Sequence, residues 1–383
     1  MKKIFLAMLA FAAVFSAASC GQHRNAPLKE GSVVDYSLSF FKNAVAQKDK
    51  DENVFVSPYS AGVALSMLSE GSEGQTRTEL DAALNGLDFT AYAPAADTAV
   101  DVRTANSVWI RKGFQVKPAY LNLLSGKYAS EVSNLDFSSP EAADAINRWC
   151  SEKTEGKIPT IVDAIGQDMV MFLINALYFK APWEREFNVK LTSDDVFYGS
   201  KKEGNVPFMY AKDVFPYAEY QGAQLVALPY SGGKYSMLVM LPSPEISVDD
   251  ILPYLNEETY LKARESMTEK KISLKMPKFK METTSVLNST FAALGVKKVF
   301  SGSADLGGIS SSNIAVDEIK QKCFIEVNEA GSEAAAVTSV GVRLTSVNPP
   351  AAVPSVVVNR PFLFAITDNV TGNFLFTGKI MNL

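Results

Sequence analysis

Histidine is nearly absent: His23 is the single imidazole in 383 residues. It lies in the polar stretch just after the N-terminal segment, so no imidazole is placed inside a fold for Ser-His-Asp or Cys-His catalysis. Three cysteines are too few for a disulfide framework or a cysteine-based metal site. Cys150 falls in a helical pattern and Cys323 at the start of a strand, so both read as small buried hydrophobes. After residue 20, no apolar run reaches the roughly 20 residues that a helical membrane span needs. Neither a Walker loop nor a dinucleotide fingerprint is present. The net charge of −5 argues against nucleic acid as a partner. Carboxylates are plentiful, 42 in all, but nothing singles out the close pair that glycoside hydrolysis uses.

The chain is 47% hydrophobic and 21% charged, the composition of a globular protein with ample core. Its start is a targeting segment. Lys2 and Lys3 precede the apolar run from Ile4 to Phe15, and small residues lead to Cys20. Residues 1–19 read as a signal peptide of the bacterial lipoprotein type, with Cys20 as the lipid attachment point. Ala17 stands where a lipobox prefers leucine. Residues 20–31 read as a tether, and 32–383 as one domain.

Apolar periodicity predicts helices over 34–47 and 60–71. Thr76 to Glu79 reads as a capping box. Ser139, Pro140 and Glu141 read as the cap and first turn of a helix ending near Gly156. A helix is expected over 285–294. "MVMFLINALYFK" from Met169 is a long apolar strand. Further strands are expected over 53–58, 104–111, 271–276 and 323–328. Hairpins are expected around Ser231-Gly232-Gly233 and over 362–380. Helices dominate early and strands late without regular alternation, which argues an α+β fold.

One stretch does not fit a routine reading. After the strand "KCFIEV" comes "EAGSEAAAVTSV", small residues with no hydrophobic face to bury. Residues 339–354 then hold one charge, Arg343, and three prolines, and read as an exposed extended segment. Together with three other segments, this stretch is similar to the serpin superfamily. The segments are "NVFVSPYSAGVALSMLSEGSEGQTRTEL" from Asn53, "LINALYFKAPWEREF" from Leu173, "FIEVNEAGSEAAAVT" from Phe324, and the closing "NRPFLFAI" and "FLFTGKI". They stand in the family's order along the whole chain. The resemblance implies a large mixed β-sheet with additional sheets, about eight to nine helices and an exposed reactive loop, about 329–354.

It also implies a mechanism, in which a protease cuts the loop and the N-terminal part inserts as a new strand in the large sheet. Small residues suit a segment that is solvated first and buried later. Glu329, Gly331, Ser332, Glu333, Ala334, Ala335, Ala336, Val337 and Thr338 form the implied hinge. Gly331 supplies backbone freedom at the pivot. Strand alternation puts Ser332, Ala334, Ala336 and Thr338 on the inward face, and Glu333, Ala335 and Val337 on the other. No proline interrupts 331–348, so each residue can join a ladder. Asn175, Lys180 and Trp183 mark the implied sheet-opening region.

Family spacing from Glu329 places the reactive bond at Thr345-Ser346, with Leu344 and Arg343 as alternate sites. Thr345 suits elastase-like or subtilisin-like serine proteases, Leu344 chymotrypsin-like ones and Arg343 trypsin-like ones. Papain-like cysteine proteases are a further target class. The implied function is suicide inhibition through a covalent complex, by a non-enzymatic monomer without cofactor or metal. It would meet the membrane through its lipid anchor only, on the cell envelope facing either side of the outer membrane, or be secreted. A non-inhibitory member, acting as a binding protein or a substrate, is the alternative; charged, bulky or proline-bearing hinges mark that type, whereas beyond Gly331 this hinge has no proline and its sole charge, Glu333, falls on the outward face.

Overall fold

In the computed structural model, residues 31–94, 98–166, 168–332 and 353–383 are described. The first half runs α1 (Val33–Ala46), β1 (Val54–Val56), α2 (Pro58–Glu70), α3 (Gly74–Ala83), β2 (Asp101–Arg111), α4 (Pro118–Lys127), β3 (Glu131–Leu135), α5 (Glu141–Lys153) and β4 (Met171–Pro182). Next come β5 (Ser193–Tyr198), β6 (Glu203–Tyr220), β7 (Ala223–Pro229), β8 (Tyr235–Pro242), α6 (Val248–Ile251), α7 (Glu257–Ser266), β9 (Thr268–Pro277) and β10 (Phe279–Val286). The chain ends with α8 (Asn288–Ala293), β11 (Lys320–Asn328), β12 (Gly331–Ser332), β13 (Ser355–Val357), β14 (Phe362–Asp368) and β15 (Phe374–Ile380).

The strands form two mixed sheets. Nine strands make one, in the order β1-β15-β14-β8-β7-β6-β9-β13 with β5 added on β6. Six make the other, in the order β10-β11-β12-β4-β2-β3. Pairing is antiparallel except for β13 with β9 and β2 with β3. The "LINALYFK" strand, β4, is therefore interior to the six-stranded sheet, not to the one with more strands. With eight α-helices among the described residues, this is the expected α+β fold.

α2 shows why the sequence folds as it does. Ser57 caps it, its Oγ accepting from the Ser60 amide at 3.1 Å, and Pro58 occupies the first turn. All its residues but the last are buried. A helix that is apolar all round belongs inside a fold. The core divides at the six-stranded sheet. On β4, Leu177, Phe179 and Ala181 face the main core. Ile174 and Ala176 face a second core with Trp109, Ile146, Trp149 and Phe324, under α5. This is the period-2 alternation of a strand buried on both faces.

Some local readings are corrected. The Thr76–Glu79 capping box does not form: helix α3 starts at Gly74 with Glu73 at its cap position. The Thr76 hydroxyl instead accepts from the Asp305 amide (2.9 Å), and the Glu79 carboxylate accepts from the Lys297 and Lys298 amides at 2.9 and 2.8 Å. Pro140, not Ser139, is the cap residue of α5, and the Ser139 hydroxyl turns to the Glu141 carboxylate. The 285–294 helix shortens to α8, because Ser285 and Val286 extend β10 against β11.

Candidate functional site: a strand position between β4 and β11

In the six-stranded sheet β11 and β4 flank β12, and among the described residues they make no ladder with each other; among those residues only the two of β12 bridge them. The chain leaves β11 at Asn328, turns through Glu329 and Ala330, and re-enters the sheet. Asn328 pairs with Gly331 and Val327 with Ser332. On the other side Gly331 pairs with Pro182 and Ser332 with Ala181. The hinge is thus already two residues into the sheet.

Three sets of contacts hold this turn. The Trp183 ring nitrogen donates to the Asn328 carbonyl, and the Trp183 and Phe187 amides donate to the carbonyls of Ala330 and Glu329, all at 2.9 Å. The Glu329 carboxylate accepts from Lys278 Nζ at 2.8 Å and from Thr192 Oγ1 at 2.7 Å. Burial works to raise this carboxyl, but the Lys278 and Thr192 hydrogen bonds outweigh it and hold the group below its ordinary range. Finally, Ser332, fully buried, shares a 2.6 Å hydrogen bond with the Tyr230 hydroxyl. Tyr230 is itself stacked on Trp183 with ring centroids 4.5 Å apart.

Gly331 serves close approach more than freedom. A Cβ there would lie 2.1 Å from the Ala181 carbonyl oxygen. The backbones of the hinge and β4 touch, so only glycine fits. Ser332 is chosen for more than its size, since its hydroxyl satisfies a tyrosine hydroxyl that is buried with it.

The three residues expected at the sheet-opening region separate. Trp183 is part of the hinge anchor. Asn175 is buried midway along β4, its Nδ2 donating to Asn106 Oδ1 on β2 at 2.6 Å. Lys180 points to the opposite face, where its Nζ lies 3.8 Å from the Glu155 carboxylate at the end of α5. Across the position, on β11, Gln321 is buried and clamps the backbone of Ser57. Its Oε1 accepts from the Ser57 amide at 2.9 Å and its Nε2 donates to the Ser57 carbonyl at 2.8 Å. At the far end a cavity of about 450 Å³ is lined by Leu173, Met171, Ile319, Val316 and Leu68 among others. Sequence reasoning missed Tyr230, Gln321, Lys278 and Thr192. Each meets the hinge or its slot through contacts that no local pattern encodes.

Glu333, Ala334, Ala335, Ala336, Val337 and Thr338, the bond residues Arg343, Leu344, Thr345 and Ser346, and Cys20 lie outside the described residues. The other two cysteines are buried free thiols. Burial pushes both up, Cys150 to about 12, so neither is poised as a nucleophile. Among the described residues no group of histidine, cysteine and carboxylate side chains is placed to hold a metal.

Comparison with known proteins agrees with this architecture. The family model "Serpin (serine protease inhibitor)" matches residues 32–383. A serpin-like protein of Methanosarcina acetivorans is 32% identical, covering 99% of this chain and 98% of its own. The leukocyte elastase inhibitor of Sus scrofa is 30% identical over 90% of this chain and 97% of its own. The native-state structure of tengpin, a thermophilic serpin, superposes with a TM-score of 0.83 at 29% identity, covering 92% of this chain and 93% of that one. By its residues, its fold and its relatives, the chain belongs to the serpin family of serine protease inhibitors.

Proposed function

We propose that this chain is an inhibitory serpin that traps serine proteases through insertion of its cleaved loop between β4 and β11. One observation carries the reading: Gly331 and Ser332 already occupy the first two rungs of that strand position, in register with both neighbours. Cleavage downstream frees the segment to continue along the same ladder. Each further residue would pair with the facing edges of β4 and β11, which have no ladder partner there among the described residues, and the added backbone hydrogen bonds drive the movement. A protease still joined to the loop as its acyl-enzyme is carried along before water releases it. The uncleaved fold persists through its kinetic barrier.

The reactive bond is Thr345-Ser346, with Leu344 and Arg343 as secondary sites, and the targets are elastase-like or subtilisin-like enzymes. The relative named as an elastase inhibitor supports that class. The protein acts as a monomer, tethered to a bacterial envelope by lipid on Cys20, with residues 1–19 removed. The test mixes the mature protein separately with elastase, subtilisin, chymotrypsin and trypsin. A complex that survives a denaturing gel, with a released peptide beginning at Ser346, is the expected result. Cleavage by all four without any complex would overturn inhibition. A released peptide beginning at Thr345 or Leu344 would overturn the bond assignment alone.

A further inference from the structure

A cavity of about 530 Å³ lies away from the hinge, between the nine-stranded sheet and helices α1 and α7. It shares no residue with the hinge contacts. Its floor crosses four adjacent strands, β7, β8, β14 and β15, which contribute Leu225, Met240, Leu363 and Phe374 among others. Neighbouring strands lie about 4.8 Å apart, so the floor is roughly 14 Å long. Folded interiors are close-packed, and an apolar void of this size is a departure from that rule. It falls within the roughly 300–1,000 Å³ that small-molecule sites span.

The void is held open. Helix α6, whose Ile251 lines the cavity, is pinned to β15 by the buried Lys379, with Nζ 2.7 Å from the Asp249 carboxylate and 2.7 Å from the Lys50 carbonyl. Two charged side chains reach the lining, Asp250 and Arg264. Asp250 is spent locally: its carboxylate accepts from the Ser247 amide at 3.0 Å and the Ser247 hydroxyl at 2.7 Å, closing the capping box of α6. Arg264 makes one long hydrogen bond, 3.4 Å from Nη2 to Asn369 Oδ1, and no ion pair among the described residues. Most of its N–H donors are left for an anion. Arg264 is half-buried, and Gln221 and Tyr254 carry the lining out to solvent, so the cavity has a mouth and a cation within reach of it.

We propose that this cavity binds a single-chain amphiphile with an anionic head, a medium-chain fatty acid, with the chain laid across the four strands and the carboxylate on Arg264. The elongated floor suits an extended chain, and each methylene buried on it adds to binding. Met240 and Met267 in the lining adapt to its contour. Arg264 supplies the charge-assisted hydrogen bonds that orient the head. A cationic head would meet a like charge, and a neutral one would forgo the ion pair. The site is independent of loop insertion and stands whether or not the chain traps proteases.

The test titrates the full mature chain by calorimetry with decanoate, decanol and decylamine, each below its micelle concentration. Decanoate should bind as one molecule per chain, about tenfold more tightly than decanol, with decylamine the weakest. Arg264→Gln should weaken decanoate about tenfold and leave decanol unchanged, because only the charged head uses the guanidinium. Ala263→Phe, at a buried position of the lining, fills the cavity and should abolish binding of both. Melting curves of both variants check that they fold. No decanoate binding by folded wild type, or binding that Ala263→Phe leaves intact, would overturn the site. Equal affinity for the three probes, tighter binding of decylamine, or decanoate affinity unmoved by Arg264→Gln would overturn the anionic head.

Discussion

Ser332→Arg puts the hinge under the heaviest load. In the uncleaved fold Ser332 has no exposed surface, pairs with a strand on each side and spends its hydroxyl on Tyr230. Among the described hinge residues the one acid, Glu329, is already committed to Lys278 and Thr192. An arginine at 332 would therefore bury a guanidinium without a partner, at an effective cost of several kcal/mol. Leaving the sheet is cheaper, and gives up only the two rungs of β12. In the proposed mechanism the same residue must re-enter after cleavage before any other can follow. If about 3 kcal/mol of that penalty stands in the rate-limiting step, insertion slows by about 150-fold. Hydrolysis of the acyl-enzyme then wins. The assay titrates a fixed amount of protease with the variant and resolves the products on a denaturing gel. Cleaved serpin should accumulate while the protease keeps its activity. Complex formation at wild-type stoichiometry would refute the account of the hinge.

Glu329→Gln removes the charge that pairs with Lys278 and should cost about 2 kcal/mol of native stability, seen as a lower melting temperature and faster spontaneous loss of inhibitory activity. Because the Glu329 carboxyl is lowered in the fold, its contribution is complete above its unfolded value near 4.3 and is lost as pH falls through the folded value. The gap in melting temperature between wild type and Glu329→Gln should therefore be constant at neutral pH and close in acid; a gap that persists there would contradict the ion-pair assignment. Gly331→Ala should drive the hinge out of the sheet, since its Cβ would meet the Ala181 carbonyl; amide exchange at Ser332 should rise, and unchanged protection would contradict the close approach. Cys150 and Cys323 should resist an aromatic disulfide reagent until the protein unfolds, because burial keeps both as thiols; rapid labelling of the native protein would refute their placement.

Legibility in the sequence tracked the range of the interactions. β4, α2 and the terminal hairpin β14–β15 carry long apolar patterns, and pattern alone located them. Strand alternation also assigned Ser332 to the inward face, where it is buried. The long strand β6 escaped, because one of its faces meets solvent and its pattern is mixed. Helix α7 buries only Ala263 among its residues, so it offers almost no apolar stripe to read. Thr76 and Glu79 misled for a related reason: residues with the spacing of a local cap were spent on partners more than 200 positions away. The hinge site is of that kind throughout. Tyr230 and Ser332 are separated by 102 positions, Lys278 meets Glu329 across a sheet junction, and Asn175 meets Asn106 from 69 positions away. Composition told what the hinge lacked, bulk and proline, while only the folded chain shows what holds it.

Amide hydrogen exchange across β4 and β11, before and after the loop is cut, measures the central claim most directly. In the uncleaved protein the amides of these strands that face each other below Ser332 have no ladder partner among the described residues. Strand insertion would pair them. The account predicts that exchange at these positions on 172–180 and 321–326 slows by orders of magnitude on cleavage, while the amides that already pair with β2 and β10 change little. Unchanged exchange along the two facing edges, in a chain shown by mass to be fully cut, would contradict it.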